Sequence, residues 1–118
     1  MAKNRIFTMT QGAYGTEMGF NLYDAAAAFP ITDDVRFYMR KERTTTNVID
    51  GELCDTGGPF TIEGTAWPAK YSFTATEMDL AAGTYLFRFE HGDPPSVTYF
   101  PTDPTQWFGK LIINPNPM

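Results

Sequence analysis

The sequence predicts an all-β domain built as an antiparallel β-sandwich, and three observations predict it. Aromatic residues make up 15% of the 118, with Phe 10, Tyr 6 and Trp 2, and aromatic side chains fit strands better than helices. Gly 10 and Pro 9 interrupt the chain at short intervals, where a helical bundle needs long unbroken runs. Between these breaks, alternating apolar and polar runs recur about every 10 to 15 residues, the spacing of strands in a sandwich or barrel. Hydrophobic residues at 42% and charged residues at 19% supply a packed core and argue against disorder. The length suits one domain, expected over 1–113. The Pro-rich stretch 114–118 is expected to be a tail with no reason to order alone.

The first strand is expected over Arg5–Thr10, with Ile6 and Thr8 on one face and Phe7 and Met9 on the other. Gln11 to Gly15 break it. Glu17–Tyr23 follows, with Met18, Phe20 and Leu22 on one side. Ala25 to Ala28 favour helix, but Pro30 limits them to one turn, so a loop of small residues is expected. Val35–Lys41 alternates cleanly, Val35, Phe37 and Met39 against Arg36, Tyr38 and Arg40, as a half-buried antiparallel strand does. Asn47–Ile49 reads as a short strand before an Asp50-Gly51 turn. Phe60–Glu63 and Lys70–Thr74 read as strands, and Thr65 to Pro68 as loop, because Pro68 cannot donate to a ladder. Thr76 with Asp79 three residues later resembles a capping box, which places a short helical turn near 76–82. Thr84–Glu90 is the strongest strand, Tyr85, Phe87 and Phe89 facing one way and Leu86, Arg88 and Glu90 the other. Gly92 to Pro95 turn the chain, and Val97–Phe100 and Gly109–Ile113 complete the set.

The formal net charge of −5 repels phosphate backbones and argues against nucleic acid as a partner. The longest apolar run falls well short of the ~20 residues a membrane span needs, so no membrane is expected. The start, Met1 to Arg5 and then Ile6-Phe7 and polar residues, lacks the apolar core of a signal peptide. Cys54 and His91 are the sole residues of their types. That excludes an internal disulfide and any zinc site needing two histidines. A single reduced thiol suits folding in a cytoplasm. No phosphate loop, dinucleotide fingerprint or nucleophile elbow is present. Cys54 and His91 stand far apart without a local signature of a nucleophile–base pair. The adjacent Asp33 and Asp34 read as solvated loop acids. No catalytic residue, metal ligand or cofactor is therefore expected.

What remains is surface suited to contact. Arg36, Arg40, Lys41 and Arg43 lie within eight residues, and Arg36, Tyr38 and Arg40 share one strand face. Such a face is either an ordinary solvated sheet face or one that stacks on and pairs with an acidic partner, a neighbouring protein or another copy of this acidic chain. Trp67 in its Pro-containing loop, and Trp107 with Phe108 before the last strand, are candidate interface anchors, or equally lids that close the ends of a small sandwich. Trp67, Trp107 and Tyr38 also suit stacking on sugar rings, so a surface glycan is a second candidate partner.

The stretch Asp79-Leu80-Ala81-Ala82-Gly83-Thr84-Tyr85-Leu86-Phe87 resembles the corner before strand F of immunoglobulin-like domains, where a tyrosine precedes a disulfide cysteine by two residues. Phe87 stands in the cysteine's place. Asp79, Gly83, Tyr85 and Phe87 are thus expected to determine the fold there. The wider layout includes Gln11-Gly12, Leu22-Tyr23-Asp24, Val35-Arg36-Phe37-Tyr38-Met39-Arg40, Tyr71-Ser72-Phe73-Thr74 and the Gly83-x-Tyr85 corner. Over nearly the whole chain it resembles the N-terminal immunoglobulin-like domain of phage baseplate upper proteins and related tailed-phage virion proteins. Ala13 stands where that family often has an acid, and Ala25 to Ala28 replace its usual polar turn. The resemblance implies a single immunoglobulin-like sandwich acting as a structural, non-enzymatic virion component made in the host cytoplasm. Its place would be the baseplate or tail first, a head decoration or fibre base second. Its partners would be other virion proteins and copies of itself in a symmetric assembly. Symmetry multiplies one weak contact into avidity. Fold alone does not name a partner.

Overall fold

Twelve strands and one helical turn make up the computed structural model, which describes residues 5–24, 27–93, 96–101 and 107–116. The radius of gyration is 13.9 Å, close to the ~13.5 Å of a compact domain of this length.

The main sheet is built from β1 (Arg5–Thr10), β12 (Gly109–Asn114), β10 (Gly83–His91), β5 (Val35–Lys41) and β6 (Asn47–Leu53) in that spatial order, with β11 (Thr98–Phe100) also on β10. The expectation of a purely antiparallel arrangement is corrected. β1 runs parallel to β12, Arg5 opposite Gly109 through Thr10 opposite Asn114, whereas β10 is antiparallel to β12, β5 and β11. A parallel neighbour needs a long connection, and here almost the whole chain lies between the two strands. Three two-stranded sheets complete the set. They join β2 (Glu17–Phe20) to β9 (Ala69–Ser72), β3 (Tyr23–Asp24) to β4 (Ala27–Ala28), and β7 (Phe60–Ile62) to β8 (Thr65–Trp67).

The alternation read from the sequence becomes the core. On β5, Val35, Phe37 and Met39 are buried, and on β10 so are Tyr85, Phe87 and Phe89. Met18 and Phe20 of β2 and Tyr71 of β9 are buried against them. Phe20 stacks on Phe89 with centroids 4.1 Å apart, and Phe37 on Tyr71 at 4.5 Å. Phe73, Met78, Leu111 and Ile113 extend the same cluster. Rings offset or edge-on at such distances gain beyond their area burial.

Five local readings differ from expectation. The Asp50-Gly51 turn is absent, and β6 instead continues to Leu53 through two bulges at Gly51 and Val48, where its register against β5 slips. Gly51 takes φ +79° directly beneath Tyr38, so a bulge absorbs the left-handed residue that elsewhere would mark a turn. Thr65–Trp67 is strand, not loop. Glu63 and Gly64, both at positive φ, form the two-residue turn whose twist suits a hairpin. The helical turn is α1 (Ala75–Met78), capped by Thr74 in a capping box with Glu77, two residues earlier than the Thr76–Asp79 box expected. Thr74 prevails because the Glu77 carboxylate accepts from both the Thr74 N–H and the Tyr71 hydroxyl, 2.9 and 2.8 Å. Finally, Glu17–Tyr23 splits after Phe20, and Ala27–Ala28 is strand. Ala25 and Ala26, Pro94 and Pro95, and the tail's last two residues lie outside the described residues.

Candidate functional site

The solvent-facing side of β5 and β10 gathers the charged and aromatic residues that the core alternation leaves over. Their register sets Leu86 opposite Arg40, Arg88 opposite Tyr38, and Glu90 opposite Arg36. β11 adds Tyr99 opposite Glu90, and Trp107 enters from the segment before β12. Tyr38, Arg40, Thr45, Asn47, Arg88, Glu90, Tyr99 and Trp107 line one open groove of about 630 Å³, within the usual range of ligand sites.

The groove has a definite internal order. The Arg40 guanidinium lies 4.5 Å from the Trp107 ring centroid, and that of Arg88 lies 5.7 Å from Trp107 and 5.8 Å from Tyr99. Two cations thus share one indole, each drawn to ring quadrupoles. The Tyr38 hydroxyl donates to Glu90 Oε2 at 3.3 Å. Burial first, and then the Glu90 carboxylate, push the Tyr38 phenol above its ordinary range, so Tyr38 stays a neutral donor. Arg36 is committed elsewhere, its Nη1 donating to the Gly51 carbonyl at 3.0 Å. The bulge at Gly51 therefore performs two tasks, seating Tyr38 and fixing Arg36. Among the described residues the ion pairs are Lys70–Glu17 and Lys110–Glu42. Neither involves Arg40 or Arg88, which face the groove with no ion-pair partner among the described residues.

The six expected contact residues do not form one surface. Arg36, Tyr38, Arg40 and Trp107 come together on this face. Trp67 lies elsewhere, over Gly19, so close that a Cβ on Gly19 would sit 2.2 Å from the indole. There it roofs an apolar recess of about 270 Å³ reached by Phe7, Phe20 and Phe87. Phe108 is corrected from surface anchor to core. It is 8% exposed, edge-on to Phe89 at 5.0 Å, because β12 continues inward from it with Leu111 and Ile113. Arg88, Glu90, Tyr99, Thr45 and Asn47 were missed as groove residues. The polar face of Thr84–Glu90 carried the first two, but only the strand register joins them to Tyr38 and Arg40.

The four corner residues lie along the passage from α1 into β10. Tyr85 is 2% exposed, and its hydroxyl donates to the Ala81 carbonyl at 2.7 Å. Asp79 closes α1 and accepts from the Tyr14 hydroxyl. Gly83 opens β10 at φ +149°, and Phe87 packs between Phe37 and Phe89. Cys54 and His91 serve the fold. Burial pushes the Cys54 thiol far up, so it stays protonated. His91 is buried, and its Nε2 accepts from the Thr32 and Asp33 N–H groups at 3.1 Å each, which places its ring proton on Nδ1. Asp33 and Asp34 are exposed. Among the described residues no three His, Cys, Asp or Glu side chains cluster as a metal site needs. No described helix is long and apolar enough to cross a membrane.

No protein-family model, curated protein or solved structure matches this chain.

Proposed function

We propose that this chain is an immunoglobulin-like β-sandwich serving as a non-enzymatic structural component of a tailed-phage virion, docked on a symmetric assembly at the baseplate or tail. The observation that carries the reading is the Tyr85 corner in its strand setting. A tyrosine at the start of a strand bonding back to the backbone four residues upstream is a hallmark of immunoglobulin-like corners. The order β12-β10-β5-β6 in one sheet, with β2-β9 in another, parallels the G-F-C-C′ and B-E pairings of that fold. The rims of the main sheet suit docking. β1 and β6 are its edge strands, and Ile6 on one, with Val48 and Leu53 on the other, are exposed apolar residues. Edge strands with apolar side chains favour association with neighbours, and a stable contact of this kind buries ~1,600 Å² in total. Partners would be other virion proteins and copies of this chain. Immunogold labelling of particles from the source tests the reading. Gold confined to the tail or baseplate is expected, and unlabelled particles in a preparation whose lysate stains for the protein would overturn it.

A second reading, a carbohydrate-binding module aiding adsorption, is favoured by one specific observation. The Tyr38–Tyr99–Trp107 groove combines aromatic rings with planar polar side chains on the outer face of β5 and β10, and reaches the β6 edge at Asn47.

A further inference from the structure

We propose that the groove on the outer face of β5 and β10 binds a carboxylate-bearing saccharide, a uronic or nonulosonic acid unit, with Arg40 and Arg88 as the carboxylate clamp. The inference rests on the saccharide reading of this groove, but not on the placement of the chain in a particle.

Charge complementarity is the first argument. The chain carries a net charge of −5, yet this groove holds two guanidinium groups without a carboxylate partner among the described residues. Both are held in place by Trp107, at 4.5 and 5.7 Å. A guanidinium stacked on an aromatic ring keeps its edge N–H groups free, and that edge is the part that forks onto a carboxylate. Stacking also fixes the side chains beforehand, which lowers the ordering cost of binding.

Hydroxyl chemistry is the second argument, and it selects a sugar over an acidic peptide. Glu90 lies in the same groove as the arginines. Its carboxylate accepts hydrogen bonds from sugar hydroxyls, donors that ionised Asp and Glu side chains do not have. Tyr38, Asn47 and Thr45 add donors and acceptors along the wall. Tyr99 is 49% exposed and presents ring surface on which the apolar face of a pyranose can stack. An acid group at one end and hydroxyls at the other match a ligand that carries both.

Affinity electrophoresis of the whole chain tests the proposal, in gels containing polygalacturonate, alginate, hyaluronate or polysialic acid. Neutral amylose and dextran, and poly-glutamate, serve as comparison gels. Retardation by at least one acidic polysaccharide, with none by poly-glutamate, is expected. Arg40→Gln and Arg88→Gln should each weaken the retardation about tenfold. Tyr99→Ala should weaken it as well, with Tyr99→Phe restoring it. All four side-chain changes lie on the solvent face, and unchanged thermal melts will show that the fold persists. Retardation by neutral polysaccharide alone overturns the acidic ligand while leaving saccharide binding standing. No retardation in any gel overturns both. Retardation by poly-glutamate to the same degree overturns the saccharide in favour of an acidic polypeptide. Wild-type retardation in the Arg40→Gln/Arg88→Gln double variant overturns the clamp.

Discussion

Tyr85 offers a way to separate a corner hydrogen bond from core packing. Replacing it with Phe removes only the hydroxyl, which donates to the Ala81 carbonyl at 2.7 Å. The ring itself stays in a site where it is 2% exposed. Ala81 is exposed, so water can satisfy its carbonyl once the phenol is gone. The loss should therefore sit near the ordinary net value of a hydrogen bond, about 1 kcal/mol, rather than at the larger penalty of a buried orphan. A domain of this length has an unfolding entropy near ~0.25 kcal/mol/K, so Tm should fall by about 4 °C. Tyr85→Ala also removes the buried ring and should cost ~3–5 kcal/mol, which corresponds to a drop of about 12–20 °C. Thermal melts followed by circular dichroism, with urea midpoints as a second measure, read both effects. A Tyr85→Phe protein melting with the wild type would refute the role given to the corner bond. A Tyr85→Ala protein falling no further than the Phe variant would refute the burial of this face of β10.

Four other outcomes are expected. Gly19→Ala places a methyl group 2.2 Å from the Trp67 indole, so Trp67 must leave its seat. A red shift of tryptophan emission and a loss of ~1–3 kcal/mol should follow, and unaltered emission would contradict the packing of Trp67 over Gly19. Gly51→Ala strains a residue at φ +79° and presses on the Tyr38 hydroxyl, 3.1 Å from the new methyl; a loss of about 1–2 kcal/mol in urea unfolding is expected, and none would contradict the bulge. His91→Phe keeps a ring edge-on to Phe29 but removes the acceptor for Thr32 and Asp33, and should lower stability by ~2–3 kcal/mol; a neutral result would mean those N–H groups find other partners. Stability should also decline at alkaline pH. Burial raises the thiol of Cys54 and the phenols of Tyr71 and Tyr85 in the folded chain. Their contribution is fully present below the unfolded-state values, about 8.5 for the thiol and about 10 for the phenols, and is lost as pH rises beyond them. A urea midpoint that stays flat from pH 8 to 11 would contradict this, and Cys54→Ala should remove the earlier part of the decline.

The strands that carry strict alternation were legible from sequence, and the reason is physical. Val35–Lys41 and the central part of β10 each bury one face against the same core, so a period of two is imposed on their composition. β1 was legible for the same reason, with Met9 buried and Ile6 exposed. What was not legible depended on partners distant in sequence. The parallel pairing of β1 with β12 leaves no local mark. Gly51 signals left-handed backbone, but sequence alone does not distinguish a turn from a bulge, and the partner strand β5 decides it. Thr74 and Thr76 each precede an acid by three residues, and only the position of Tyr71 selects Thr74. The groove was half legible. Arg36, Tyr38 and Arg40 declared a polar face, whereas Arg88, Glu90 and Tyr99 joined it through register. Phe108 misled because an aromatic beside Trp107 and ahead of a strand reads equally as anchor or core, and β12 carries it inward.

The placement of this domain in a particle is tested most directly by its stoichiometry. Purified particles from the source, resolved by gel and calibrated against the major capsid protein, give a copy number. The account predicts tens of copies or fewer, in a small multiple of the symmetry order of a tail or baseplate. Hundreds of copies would contradict the baseplate and tail in favour of a head decoration, and a protein absent from the particle would contradict the virion role itself.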